Sequence, residues 1–291
     1  MSVNADPDNN PVNIRILEDL YENIFDHLEG DKGILVKCST ASKVFLKPCR
    51  KVLFRRIVVG EIVAGTKFTG FQRFLQDHPA HCRLIRHLGF SRGPLPPMHG
   101  SYLPDMTPSQ VWYIVRLLPN LRELVFQNIS FWGEGPPGFN VPPVQISRLE
   151  FRSCIAPNAV FRRFLRLFTI GELCIGPLLT HGESAADLSY APIIVRSLVL
   201  FVRLPPSLVD VMLSADSCEN LYAYASSTQE FQIIGRFMER SYTKLKEITL
   251  DVRSGLVKLG EQRWFRAPNG YSYISLQISI GLGFVSILVL P

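Results

Sequence analysis

A short phrase with the pattern apolar-x-x-apolar-x-apolar recurs along this chain and constrains its fold more than any other feature. It occupies residues 84–90, 121–126, 146–151, 170–175, 195–200, 218–223 and 245–250. The central residues of successive phrases are 36, 25, 24, 25, 23 and 27 residues apart. A near-constant period of this length is typical of chains built from stacked strand-containing units, which bury their apolar faces against one another.

The segments between the phrases have the apolar spacing of helices. They are 108–118, 157–168, 206–213 and 229–240, and three of them begin with proline, which is favoured in a first helical turn. The segment after residue 175 is expected to be irregular. We therefore predict an α/β fold in which residues 58–291 form an irregular leucine-rich-repeat solenoid, with parallel strands on the concave face and helices outside. The alternative is a doubly wound α/β fold, whose strands would be longer apolar runs.

Residues beside each central leucine are expected to face the concave surface of such a stack. Basic, acidic and aromatic side chains succeed one another there, which suits recognition of a protein surface. The alternative is that these positions merely face solvent. The predicted substrate-binding residues are Arg148, Glu150, Arg152, Phe201, Tyr222 and Tyr224.

Residues 14–57 have the pattern of three short amphipathic helices. Apolar residues recur every three or four positions from Ile16 to Leu28, and Gly30 ends that run. Asp31 can cap a second helix, and Pro48 lies in a third. Three short helices form a poor hydrophobic core by themselves. This head is therefore expected to bury apolar surface against a partner or against the rest of the chain. The polar segment 1–13 before it is expected to be a mobile tail.

The head also contains the segments ILEDL (16–20), IFDHL (24–28), LVKCS (35–39), ASKVF (41–45) and PCR (48–50). In this order they resemble the F-box of basidiomycete F-box-like proteins, which are fungal, although the usual opening Leu-Pro is Ile16-Leu17 here. The resemblance implies docking to a Skp-type adaptor of an SCF ubiquitin ligase with its cullin core. The implied adaptor-binding residues are Ile16, Leu17, Leu20, Ile24, Leu28, Leu35, Val44 and Phe45. Alternatively, these side chains pack the head onto the following domain.

Charge is segregated along the head. Residues 1–31 contain eight acids and one base, and residues 32–56 contain eight bases and no acid, within a net charge of +6. A basic block can contact phosphates, but no aromatic residues are interleaved with it, so no nucleic acid is expected as a partner. Six cysteines without a CxxC pair and a start without a secretory signal predict a reducing, cytoplasmic or nuclear location.

Several patterns associated with chemistry are weak here. Residues 133–138 match G-x-G-x-x-G, but two prolines lie inside the match and no helical pattern follows. The segment HPAHCRLIRH (78–87) is rich in histidine, yet no second ligand pair occurs at a zinc-like spacing. No nucleophile elbow or P-loop is present. The sequence therefore predicts no catalytic residue, no metal and no cofactor.

The segment 274–291 contains eighteen residues without a charge. This length is at the low end for a membrane-spanning helix, and the polar residues and glycines within it disfavour a membrane location. Residues 273–291 are interpreted as a last repeat strand near Leu276, 28 residues after Ile248, or as the truncated end of a gene.

Together these patterns predict a protein that is not an enzyme. We expect a substrate-recognition adaptor of an SCF-type ubiquitin ligase, in which the head docks a Skp-type adaptor and the repeats bind a protein substrate. A non-ligase interaction scaffold, whose helical head only caps the solenoid, is the first alternative. A hydrolase or transferase with an unfamiliar site is the second, and it would require a deep pocket that gathers titratable groups.

Overall fold

The computed structural model describes residues 20–61, 66–92, 103–133, 142–181, 193–200, 217–225, 230, 233–235, 237, 244–253, 273–281 and 284–290. Its helices are α1 (20–27), α2 (Lys32–Ala41), α3 (Lys43–Arg55), α4 (Thr66–Asp77), α5 (Pro79–Cys82), α6 (Pro108–Arg116) and α7 (Asn158–Leu165). Residues 230, 233–235 and 237 are also helical. The strands of the larger sheet are β1 (Arg56–Glu61), β2 (His87–Arg92), β4 (Glu123–Gln127), β6 (Val144–Arg152), β8 (Phe168–Ile175), β10 (Val195–Leu200), β11 (Asn220–Ala225), β12 (Glu247–Arg253), β13 (Tyr273–Gly281) and β14 (Phe284–Leu290). The smaller sheet contains β3 (Asp105–Met106), β5 (Ser130–Phe131), β7 (Cys154–Pro157) and β9 (Leu178–His181).

The larger sheet follows the order of the sequence, β1-β2-β4-β6-β8-β10-β11-β12-β13-β14, and it is parallel from β1 to β12. Each of the seven repeated phrases contributes one of its strands. Their central residues are successive register partners: Leu88, Leu124, Leu149, Leu173, Leu198, Leu221 and Ile248. The predicted α/β class with a mostly parallel sheet is therefore confirmed.

Aromatic side chains fill the core beneath the first half of this sheet. Phe90, Phe126 and Phe151 occupy the last apolar position of three successive phrases, and their rings stack at 5.6 Å between neighbouring centroids. Phe164 of α7 packs edge-on against Phe126 and Phe151. In-register phenylalanines on adjacent strands meet in this way because side chains on one face of a parallel sheet lie directly beside each other.

The smaller sheet, in the order β3-β5-β7-β9, is parallel and was not predicted. Its strands contain two to four residues, too few for a period-two pattern to emerge. Phe131 of β5 contacts Phe126, with ring centroids 5.1 Å apart, so the two sheets share one core. The segment after residue 175, expected to be irregular, begins with strand β9 of this sheet.

Local capping signals explain where the connecting helices begin. Thr107 and Gln110 form a capping box at the start of α6, with Pro108 in the first turn. In the head, the carboxylate of Asp31 accepts a hydrogen bond from the Ile34 amide at 3.0 Å, as the sequence predicts for its cap. Ser42 begins α3, which continues through Pro48.

The head and the sheet meet without an intervening linker, since α3 ends at Arg55 and β1 begins at Arg56. The boundary predicted between residues 57 and 58 therefore lies within an edge strand. Phe54 packs against His81 of α5, at 4.5 Å between ring centroids, and stacks on Phe74 of α4. Neither α4 nor α5 was predicted.

The C-terminal strands correct one expectation. One of the two interpretations of residues 273–291 is a last repeat strand, which would be parallel to its neighbour. Strand β13 instead pairs antiparallel with β12, and Ile278 lies opposite Ile248. Strand β14 returns antiparallel to β13. Only two residues separate β13 from β14, which is enough for an antiparallel hairpin, whereas a parallel strand would need a longer crossover connection.

Candidate functional site

Charged side chains gather on the side of the larger sheet opposite the aromatic core. We call this surface the charged face, and its residues are His87, Glu123, Arg148, Glu150, Arg152 and Glu172. They alternate along β2, β4, β6 and β8 with the buried phrase residues, since successive side chains of a strand point to opposite faces. A cleft of about 310 Å³ lies over this face and is also lined by Arg56 and Val58 of the edge strand.

Glu150 is the centre of the charged face. Only 5% of its surface is exposed, and two arginines of its own strand clamp its carboxylate. Arg152 Nε donates to Oε1 at 2.5 Å, and Arg148 Nη2 donates to Oε2 at 3.2 Å. Burial alone would raise the pKa of Glu150, but hydrogen bonds and charges from Arg152 and Arg148 hold it below its usual value. The carboxylate is therefore ionised at neutral pH and cannot act as a general acid.

Further pairs join neighbouring strands, β6 with β8 and β2 with β4. Arg148 Nη1 lies 2.8 Å from Glu172 Oε1 on β8, so one guanidinium joins two carboxylates. On the other side, His87 Nδ1 lies 2.8 Å from Glu123 Oε2, although these two atoms are not aligned for a hydrogen bond. Arg148, Arg152, Glu150 and Glu172 are thus each paired with an opposite charge, which gives a surface of alternating sign suited to polar recognition.

The cysteines near this face are not nucleophiles. Cys174 is buried and its Sγ donates to Glu172 Oε1 at 3.1 Å. Burial, together with the hydrogen bond to Glu172 and its charge, raises the pKa of the Cys174 thiol. Burial likewise raises the pKa of Cys154 to about 12 and that of Cys218 to about 11. Since the thiolate is the reactive form, these groups are inert at neutral pH.

The structure brings three of the six predicted substrate-binding residues together, namely Arg148, Glu150 and Arg152. Glu150 corrects the expectation of an accessible side chain, because the two arginines cover it. Tyr222 and Tyr224 are half-buried on β11, which is the third strand along from β6. Phe201 lies outside the described residues.

Sequence reasoning did not select His87, Glu123 or Glu172 as site residues. The signal was available, because Arg148, Glu123 and Glu172 hold the same position relative to the central leucine in three consecutive phrases. Residues aligned in this way become cross-strand neighbours. A search for opposite charges at equivalent positions of successive phrases would have found the cluster.

A second candidate surface lies on the head. Leu20, Ile24 and Val44 are 51%, 46% and 60% exposed, and all three are predicted adaptor-binding residues. Leu20 and Ile24 are four residues apart on α1 and so share one side of the helix. Solvent-exposed aliphatic side chains grouped on a small module are typical of an interaction surface.

The other predicted adaptor-binding residues behave differently. Leu35 is fully buried with Phe25, Cys49 and Val52 in a small core that belongs to the head alone. The prediction of a docking role for Leu35 is therefore corrected, because its side chain cannot touch a partner while the head is folded. The side chains of Leu28 and Phe45 pack partly against this core. The residues Ile16 and Leu17 lie outside the described chain.

Ion pairs within the head account for part of its segregated charge. Lys51 of α3 pairs with Glu22 of α1, and Arg55 Nη2 lies 2.7 Å from Asp26 Oδ1. Arg55 also approaches Glu29, with Nη1 and Oε2 3.9 Å apart. The acidic and the basic segments thus partly neutralise each other, which leaves less of the basic block available to phosphates.

The histidine-rich segment serves packing between the head and the sheet. The His81 ring contacts Phe54, and burial, with the nearby His78 and Arg50, lowers its pKa. Cys82 is buried and donates to the Leu75 carbonyl at 3.3 Å. Within the described part of the chain, no three His, Cys, Asp or Glu residues are grouped so that they could hold a metal ion.

The glycine-rich segment 133–138 is described only at Gly133, whose φ of +80° places it in the left-handed region that favours glycine. Among the described residues, no helix has both the length and the apolar character needed to cross a membrane. The charged segment 182–192 between β9 and β10 lies outside the described residues.

Two surfaces therefore present themselves for recognition, the charged face and the exposed aliphatic side chains of the head. Comparison of the chain with protein-family models, with curated proteins and with solved structures found no match to any of them.

Proposed function

We propose that this protein is a substrate-recognition adaptor of an SCF-type ubiquitin ligase. The head would dock a Skp-type adaptor, which is attached to a cullin core, and the repeat region would bind a protein substrate. The repeat region would be a leucine-rich-repeat solenoid, which agrees with its strand order and register. The adaptor itself carries out no covalent step.

The observation that carries this proposal is the division of apolar side chains within the head. Phe25 and Leu35 fill its own core, whereas Leu20, Ile24 and Val44 are left in solvent. Side chains needed only to attach the head to the sheet would pack at that junction, as Phe54 does against Phe74 and His81. Aliphatic groups that remain exposed are available to a partner protein.

Recruitment would act through proximity. Holding a substrate lysine close to a ligase-bound ubiquitin carrier raises its effective concentration, so binding energy alone accelerates the transfer. The charged face supports this role, because a surface of fixed alternating charges selects a complementary protein by penalising unpaired charges in the wrong one.

Adaptor docking can be tested with the full chain and a purified Skp-type adaptor in a pull-down at micromolar concentrations. We expect the wild type to bind and Leu20→Glu/Ile24→Glu to bind at least about 100-fold more weakly, because two carboxylates would be buried in an apolar interface. Both positions are exposed, so the variant should fold, which circular dichroism verifies.

Val36→Glu provides a matched control. Val36 is 50% exposed on α2, so it receives the same chemical change at the same exposure outside the predicted docking residues. It should bind as well as the wild type. Absence of binding by the wild-type chain would refute the docking role.

A second function is favoured by the junction between the head and the sheet. Helix α3 runs directly into the edge strand β1, and the Arg86 amide donates to the Arg55 carbonyl at 2.9 Å. A head in this position lies at the open end of the sheet, where it would act as a cap. The protein would then be an interaction scaffold without a ligase partner. The same pull-down separates the two functions, since a scaffold retains its fold but captures no adaptor.

A further inference from the structure

A groove of about 880 Å³ lies away from both surfaces described above, at the amino ends of the strands of the larger sheet. We call it the edge groove. Charged and polar side chains from the residues just before or at the start of β2, β4, β6, β8, β10 and β11 line it: Arg86, Arg122, Ser147, Thr169, Arg196 and Glu219. It extends across successive strands, so a bound chain would lie crosswise to them.

The floor of the edge groove is backbone. The Ser147 amide donates to the Arg122 carbonyl, and the Arg122 amide donates to the Arg86 carbonyl, both at 2.8 Å. At Gly171 a Cβ would come within 2.6 Å of the Ser147 carbonyl oxygen, so no side chain fits between these strands. Glycine at this position therefore keeps the floor open.

Uncompensated positive charge lies at one end of the edge groove. The Arg86 and Arg122 side chains have neither an ion pair nor a hydrogen bond with any described residue, whereas Arg148 and Arg152 of the charged face are both paired. At the other end, Arg196 Nε lies 3.3 Å from Glu219 Oε2. Two adjacent unpaired guanidinium groups attract a carboxylate, which they can bind through two parallel hydrogen bonds.

An apolar contact is available further along. Ile194 precedes β10 and is 48% exposed at the wall of the edge groove. Strand β10 is three strands away from β4, which bears Arg122 just before its first residue, and neighbouring strands are about 4.8 Å apart. The separation of roughly 14 Å corresponds to about four residues of extended chain.

The lining of the edge groove fits a peptide better than a nucleic acid. None of the described residues that line it is aromatic, so this part of the groove offers no ring on which a base could stack. Gln145, Ser147 and Thr169 supply side-chain donors and acceptors for a peptide backbone between the two ends.

From these observations we propose that the edge groove binds an extended segment of a partner protein through an aspartate or glutamate side chain. The carboxylate contacts Arg86 and Arg122, and an apolar residue about four positions away contacts Ile194. This site is separate from the charged face and from the head surface. It does not depend on a ligase role for the protein.

The test is fluorescence anisotropy with the full chain and a labelled peptide of about ten residues. The probe contains two adjacent glutamates and a leucine about four residues away, in a Gly/Ser background. Replacing the glutamates by glutamine should abolish binding, and replacing the leucine by serine should weaken it. Binding of the parent peptide should weaken as salt is added, since the contacts are ionic and partly exposed.

Arg86→Gln/Arg122→Gln should weaken binding about tenfold or more, because two charge-assisted contacts are lost. Arg86→Lys/Arg122→Lys should retain part of it. Arg50→Gln/Arg73→Gln removes the same charge from exposed positions outside the groove and should leave binding unchanged. The single change Arg122→Glu, at an exposed residue, serves if the double variant does not fold.

Three results would overturn the proposal. The first is equal affinity for the glutamate and glutamine peptides. The second is equal affinity of the wild type and the Arg86/Arg122 variants for the glutamate peptide. The third is binding of a single-stranded oligonucleotide, but not of the peptide, through the same arginines, which would make the groove a nucleic-acid site.

Discussion

At the scale of single residues, Glu150 shows how a charged side chain becomes part of the fold. A buried carboxylate is tolerated because Arg148 and Arg152 stabilise it with hydrogen bonds and positive charge. These interactions replace the hydration that the carboxylate loses on burial. The arrangement also fixes both guanidinium groups at the surface. Removing the carboxylate would release them and leave two positive charges side by side.

Glu150→Gln tests this role. We expect it to lower the free energy of unfolding at pH 7 by about 1–3 kcal/mol, because an ionic hydrogen bond becomes a neutral one while the arginines stay partly solvated. The measurement is urea unfolding. Glu172→Gln is the matched control, and as an exposed pair it should cost less than about 1 kcal/mol.

We also expect the stability difference between the wild type and Glu150→Gln to depend on pH in one direction. The pKa of Glu150 is depressed in the folded protein, so its contribution is present above the unfolded pKa of about 4.3. It is lost as the pH falls through the folded pKa. The stability gap between wild type and Glu150→Gln should therefore close on acidification, and a gap that widens would contradict the ionised, clamped state.

At the scale of the elements, register depends on contacts between backbone atoms as well as on apolar pairing. Gly171 is the fourth residue of β8, where β6 approaches closely through the Ser147 carbonyl. The strands can remain in register only if nothing projects between them. Gly60 of β1 provides a contrast, because no atom lies within 4 Å of the position where its Cβ would be.

Gly171→Ala should therefore destabilise the protein by about 1–3 kcal/mol, since the added methyl group forces two strands apart. Gly60→Ala should change the free energy of unfolding by less than about 1 kcal/mol, with any gain arising from a less flexible unfolded chain. Thermal and urea unfolding of the two variants provide the comparison. Equal effects would show that the approach at Gly171 relaxes without cost.

Sequence reasoning succeeded for elements whose signal is local or regularly repeated. The phrases predicted seven strands, and the leucines at 124, 149 and 173 became register partners as their equal spacing implies. Pro108 and Asp31 lie where helix starts were expected. The helix starts depend on residues a few positions away, and the strand register depends on residues one repeat length away.

The features that sequence reasoning missed depend on contacts between residues that are far apart in the sequence. The burial of Glu150 could not be foreseen from an alternating strand pattern, because two long arginine side chains and not a second layer cover it. The short strands such as Ser130–Phe131 carry no periodicity. The direction of β13 could not be predicted, because an apolar run has the same pattern in a parallel and in an antiparallel strand.

At the scale of the whole molecule, two cores of unequal size are joined at Phe54. The head buries Phe25, Leu35, Cys49 and Val52, whereas one cluster extends from Phe68 to Leu250 through the sheets and their helices. With only four buried residues among those described, the core of the head provides little stability by itself, so the head depends on its attachment to the sheet.

Native-state hydrogen exchange should reveal this inequality. We expect the amides of β4, β6 and β8 to exchange most slowly, because they pair on both sides and have the aromatic core and the smaller sheet behind them. Amides of α2 should exchange faster. The full chain is labelled in its folded state and then digested, and mass spectrometry of the peptides provides the exchange rates. Equal protection of α2 and β6 would mean that the head and the sheet unfold as one unit.

The order of strands in the larger sheet has an evolutionary consequence. From β1 to β12, each strand pairs with the strands of the preceding and the following unit, so no pairing joins distant parts of the sequence. Duplication or deletion of a segment of about 25 residues would then add or remove one strand with its connection and leave the remaining pairings intact. Descendants of such a gene can vary the length of their recognition surface in whole units, while the side chains that fill each unit diverge independently.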